Sequence, residues 1–178
     1  MANVSIYPEH RDILDALITT AKVSSLAGAT RTGPFPAQRD AYVFAAAIAM
    51  ARGNPRSEAD MPTARKDVTT IRDQVFLGAN GASALAYAVT LIEDHPDESA
   101  EATLSRQLDL LMDDKLQDRL TALDRYAYAG FEWLKTNQAD ERTTRELVLT
   151  ALDEIACVAT GPGEIPQIHD PLLEMLLD

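Results

Sequence analysis

The chain has 178 residues, enough for one domain with a real core and short for two. Its 46% apolar and 25% charged residues exclude wholesale disorder. No apolar run approaches the roughly 20 residues that a membrane-spanning helix needs, and "MANVSIYPEH" lacks the basic-then-apolar layout of a secretion signal. A cytoplasmic protein without membrane contact is expected. The net charge of −12 is lopsided: residues 1–89 carry nine Lys/Arg against eight Asp/Glu (+1), residues 90–178 seven against twenty (−13). The second half therefore repels nucleic acid, and the first tolerates it.

A first helix is expected to start near Pro8, with Ile13, Leu14, Leu17, Ile18, Ala21 and Val23 as its apolar stripe. "SSLAGATRTGPFP" breaks that pattern. A second helix follows over Ala37–Arg52, entered at Pro36 and ended by Gly53 in a left-handed conformation. It has no charge between Asp40 and Arg52 and is built mostly from alanine, with Tyr42, Val43, Phe44, Ile48 and Met50 spread around it. A helix apolar all round is buried on several sides, and alanine lets neighbours approach closely.

"GNPRSEADMPTARK" reads as a loop. "TTIRDQVFLGANG" suits either a short extended piece, through Ile71, Val75 and Leu77, or a helical turn, through Val68, Ile71 and Val75. A buried helix is expected from "ANGASALAYAVTLIED", with Ala84, Leu85, Ala88, Val89 and Ile92 inward. Ser99 is placed to cap the next helix, whose stripe begins with Leu104, Leu108 and Leu111. Leu116, Leu120, Leu123, Ala127, Gly130 or Phe131, and Leu134 continue it, as one long helix or as two broken near Asp113-Asp114. Gly130 implies a close helix contact. A last helix over Glu141–Ala159 turns Leu147, Val148, Ala151, Leu152, Ile155 and Cys157 or Val158 inward. The fold class is therefore all-α or nearly so: a single-domain bundle of five to seven helices around the Ala-rich one, covering residues 1–160.

Few residues carry recognisable chemistry. Cys157 stands alone among apolar neighbours, so neither a disulfide nor a thiolate metal cluster forms. His10, His95 and His169 are isolated, without a second ligand at helical spacing. His95 with Glu93, Asp94 and Asp97 reads as a solvated turn before it reads as a cation site. "GANGAS" lacks the lysine and the preceding strand of a phosphate loop. No catalytic residue, metal or cofactor is expected, and the protein reads as a non-enzyme. Tyr126, Tyr128, Phe131 and Trp133 cluster in "RYAYAGFEW", but helical spacing sends some of them to the core. A basic group of Arg31, Arg39, Arg52, Arg56, Arg65, Lys66 and Arg72 surrounds the Ala-rich helix as a candidate DNA-binding patch. Residues 161–178 form a Gly/Pro tether followed by the acidic amphipathic "DPLLEMLLD". Asp170, Leu172, Leu173, Glu174, Leu176 and Leu177 there are either partner anchors or a lid on the domain's own core.

The run "GPFPAQRDAYVFAAAIAMARG", with "YPEHRDILDALI" before it and "LDRYAYAGFEWL" after it, resembles the Dnd system-associated protein 4 family. In the third segment Asp124, Tyr126, Ala127, Gly130, Phe131 and Leu134 carry the likeness. These are small bacterial proteins associated with DNA phosphorothioation, in which sulfur replaces a backbone oxygen and supports discrimination of self from foreign DNA. The likeness spans most of residues 5–156, leaves out the tail from Gly161, and brings no catalytic residue with it. It implies a non-enzymatic accessory or adaptor of a phosphorothioation-linked antiphage defence system, with other proteins of that system as partners. A DNA-binding regulator or loader using the basic group is the alternative, and a DNA mimic a third. The sequence assigns no oligomeric state.

Overall fold

Alanine has no side-chain freedom to lose and leaves its backbone open to close approach, and the helix richest in it sits at the heart of the bundle. The computed structural model describes residues 2–18, 33–63, 67–78, 81–92, 98–138 and 143–160, with residues 154 and 157–160 by backbone alone. In chain order the elements are β1 (Asn3–Ile6), a 3-10 turn at Pro8–His10, α1 (Arg11–Leu17), α2 (Gln38–Ala51) and a 3-10 turn at Glu58–Asp60. Then come β2 (Thr69–Arg72), α3 (Asp73–Leu77), α4 (Ala82–Ile92) and α5 (Ala100–Leu110). A 3-10 turn at Asp113–Lys115 leads into α6 (Leu116–Gln138), and α7 (Thr144–Thr160) follows. The chain is thus mostly helical, with seven α-helices and one two-stranded sheet among the described residues.

The 23-residue α6 is the spine on which α1, α2, α4, α5, α7 and β1 all pack. Its Leu120, Leu123, Ala127, Phe131 and Leu134 are buried, as their spacing predicts. α2 is its main partner and buries Ala41, Tyr42, Ala45, Ala46, Ile48 and Ala49. The two helices touch backbone to backbone at Gly130, where a Cβ would collide with the Ala45 carbonyl. Gly53 ends α2 in the left-handed region, φ 60°. Ser99 caps α5 by accepting from Ala102 N–H at 3.2 Å. Thr143 and Glu146 make reciprocal capping bonds at the start of α7.

β1 and β2 pair antiparallel with Val4 opposite Ile71, and these two residues and Ile6 are buried. The ambiguous "TTIRDQVFL" thus divides, the strand ending at Arg72 where α3 begins. At the front, Pro8 opens a 3-10 turn that runs into α1. The apolar stripe stays helical only to Leu17; Ile18 is extended and bridges Phe35, and Ala21 and Val23 lie outside the described residues.

Three expected faces need correction. On α4 the buried residues are Ala82, Ala86, Val89 and Thr90, while Ala84 and Ile92 face out and Leu85 and Ala88 are half-buried. α4 is apolar nearly all round, so period could not choose a face, and contact with α2 and α6 took the one richest in small side chains. On α5, Leu104 and Leu108 point outward and Leu111 is only half-buried. On α7, which starts at Thr144, Leu147 and Ala151 are buried and Val148 and Ile155 half-buried, but Leu152 is exposed.

Candidate functional site

The aromatic run of α6 holds the beginning of the chain. His10 is fully buried, stacked on Phe131 and edge-on to Tyr128, with Nε2 at 2.8 Å from Glu132 Oε1. Burial lowers its pKa, against the pull of the Glu132 carboxylate. The neutral ring therefore donates from Nε2 to Glu132, leaving Nδ1 buried with no hydrogen-bond partner. Tyr128 donates to Glu9 at 2.9 Å, and partial burial together with that carboxylate pushes the phenol up to about 12. Asp124 accepts from Tyr42 Oη at 2.6 Å and from Ser5 N–H at 2.8 Å, both on Oδ1. Burial and the Asp124 charge raise the Tyr42 pKa, so it stays a donor. These polar groups pin β1 and α2 to α6. Tyr126 and Phe131 are core, as their spacing implies.

Two open cavities flank the loop that follows α2. One, about 530 Å³, lies between β1, the loop and α6, and is lined by polar groups that include Ser5, Glu58, Gln117, Thr121, Asp124 and Arg125. The other, about 470 Å³, is bounded by Asn54, Arg56, Ser57, Glu132 and Trp133. The loop between them is clasped to α6: Arg125 Nε donates to the Arg56 carbonyl at 2.8 Å, and Arg56 N–H donates to the Arg125 carbonyl. Among the described residues no three His, Cys, Asp or Glu side chains converge as metal ligands, and no helix is long and apolar enough to cross a membrane. His95, with Glu93, Asp94 and Asp97, and His169 lie outside the described residues.

Four members of the basic group, Arg39, Arg52, Arg56 and Arg72, lie among the described residues, and they stand at separate places. Arg52 lies over the Trp133 ring and Arg56 over Tyr128, each 5.5 Å from the ring centroid. Arg39 is at the far end of α2, about 20 Å of helix away, where it donates to the Val75 carbonyl. Arg72 closes β2 opposite Asn3. Arg31, Arg65 and Lys66 lie outside the described residues, as do the tail anchors Asp170, Leu172, Leu173, Glu174, Leu176 and Leu177.

The feature that sequence reasoning missed is α5, which is turned inside out. Its half-buried stripe is Thr103, Arg106, Gln107 and Leu110, and it buries no side chain fully. Arg106 pairs with Glu98 at 3.1 Å, Thr103 donates to the same carboxylate, and Gln107 Nε2 donates to the Leu91 carbonyl of α4. Behind them Arg119 is buried; its guanidinium donates to the Leu110 and Met112 carbonyls and lies 4.8 Å over the Tyr87 ring. The apolar residues face solvent: Leu104 is 56%, Leu108 57% and, just past the helix, Met112 61% exposed, and on α4 Tyr87, Leu91 and Ile92 are exposed as well. The signal available beforehand was α4 itself, whose lack of a polar face guarantees an apolar side left over. Comparison of the chain with protein-family models, curated proteins and solved structures finds no match in any of the three.

Proposed function

We propose that this protein is a non-enzymatic accessory or adaptor of a bacterial antiphage defence system linked to DNA phosphorothioation, acting through protein–protein contacts. The observation that carries the contact role is the exposure of Leu104 and Leu108 on α5 and of Met112 just after it, large apolar side chains turned to solvent while Gln107 bonds the Leu91 carbonyl of α4. The choice of system rests on the likeness of Gly33–Gly53 and Asp124–Leu134 to the Dnd system-associated protein 4 family. The tail residues Asp170, Leu172, Leu173, Glu174, Leu176 and Leu177 supply a second contact in this reading. Co-expression of the tagged full chain with the neighbouring phosphorothioation proteins is expected to recover one of them in stoichiometric amount. Recovery of none, in low and in high salt alike, overturns the reading.

A second reading, a DNA-binding regulator or loader, draws support from Arg52 and Arg56, which converge over α6 aromatics beside the 470 Å³ cavity. It requires duplex binding that weakens steeply with salt, because each neutralised phosphate releases counterions. A flat salt response removes it.

A further inference from the structure

We infer that the α4–α5 face is a docking surface for a cationic amphipathic helix of a partner protein, an inference that rests on the adaptor reading above. Leu104 and Leu108 fall one turn apart on α5, and Met112, in the turn that follows the helix, is exposed beyond its C-terminal end. On α4, Tyr87 and Leu91 are exposed at the same i, i+4 spacing. The exposure is built in. Rolling α5 to bury its leucines would release the Gln107 bond to the Leu91 carbonyl of α4 and the Arg119 bonds to the Leu110 and Met112 carbonyls.

Charge selects the occupant. Glu101, Asp109, Asp113, Asp114 and Asp118 are exposed around the row. Among the described residues the nearby cations are paired: Arg106 with Glu98, Lys115 between Asp109 and Asp118 at 3.4 and 3.8 Å, and Arg119 inward with carbonyls and the Tyr87 ring. A second copy would bring the same acids to the other side of a two-fold contact. An acidic leucine segment such as this chain's own "DPLLEMLLD" meets the same repulsion. A helix with leucines on one side and lysines or arginines along its flanks satisfies both the apolar row and its acidic border.

The test uses the full chain and two synthetic helical peptides with the same leucine face, one flanked by lysine and one by glutamate, read by fluorescence anisotropy. The lysine peptide is expected to bind at least tenfold tighter. Leu104→Ser with Leu108→Ser is expected to weaken it at least tenfold while helix content by circular dichroism is unchanged. Asp109→Lys with Asp113→Lys and Asp114→Lys is expected to reverse the preference. Equal affinity for the two peptides, or lysine-peptide binding indifferent to the leucine substitutions, overturns the inference. So does a dimer in sedimentation that Leu108→Ser dissolves, which makes a second copy the occupant. So does tenfold tighter peptide binding by the full chain carrying Leu172→Ser, Leu173→Ser, Leu176→Ser and Leu177→Ser, which makes the tail the occupant. Any of these leaves co-purification with defence proteins standing, whereas loss of co-purification with the peptide preference intact removes the adaptor reading alone.

Discussion

The crossing of α2 with α6 and the face made by α4 and α5 each join a helix apolar nearly all round to one with a regular apolar stripe, yet one is sealed and the other open. At the crossing, Ala45 and Gly130 remove side chain from the contact, so the backbones meet and the flanking Tyr42, Ile48, Ala127 and Phe131 close around them. On α5 the apolar side chains are larger, but Gln107 bonds the Leu91 carbonyl of α4 and Arg119 of α6 holds the Leu110 and Met112 carbonyls, with the leucines left outward. Apolar spacing therefore predicts that a helix forms, while the partners available to its polar face decide which way it turns.

That contrast can be broken or sharpened by substitution. The largest effect is expected from Gly130→Ala: the added methyl meets the Ala45 backbone and forces the helices apart, at about 3 kcal/mol, read as a melting temperature lower by about 9 °C. A smaller loss, about 2 kcal/mol, is expected of Tyr42→Phe, which takes the phenol donor from the Asp124 oxygen but leaves the ring packing against Phe76; urea denaturation measures it. Third comes a pH effect at His10, which faces Glu9, Glu132, Lys135 and Tyr128. Its folded pKa lies below the ordinary 6.5, so the unfolded chain takes up the proton first and stability falls as pH drops from about 6.5. His10→Gln should flatten that decline between pH 7 and the folded pKa in denaturant midpoints; an unchanged slope assigns it to other groups. The smallest effect belongs to the open face: Leu104→Ser and Leu108→Ser are each expected to cost under about 0.5 kcal/mol. A core-sized loss there would erase the distinction between the two regions.

What the sequence made legible was local. The Pro36 entry and Gly53 exit bound α2 to within one residue, Ser99 announced its cap, and the Asp113-Asp114 break between α5 and α6 was one of two stated options. These features depend on a few adjacent residues. β1 escaped because four residues of "NVSI" are too short to show alternation, and its partner Thr69–Arg72 lies more than sixty positions on. The same distance problem hid the His10–Glu132 contact, 122 residues apart, and the Tyr42–Asp124 bond, 82 apart. The outward turn of α5 escaped for another reason. Its leucines and its polar stripe were both visible, but the Leu91 carbonyl and the Arg119 guanidinium that fix its orientation come from neighbouring helices.

The contacts that fasten the front of the molecule run in step with α6: Asn3 to Gln117, Ser5 to Asp124, Glu9 to Tyr128 and His10 to Glu132. During translation at about 5–20 residues per second, those first residues leave the ribosome on the order of ten seconds before the residues that secure them. The alanine helix waits as well, since Ala45 must meet Gly130. Assembly is therefore governed from the back of the chain, and a stall before α6 is complete would leave the nascent polypeptide with its alanine helix uncovered.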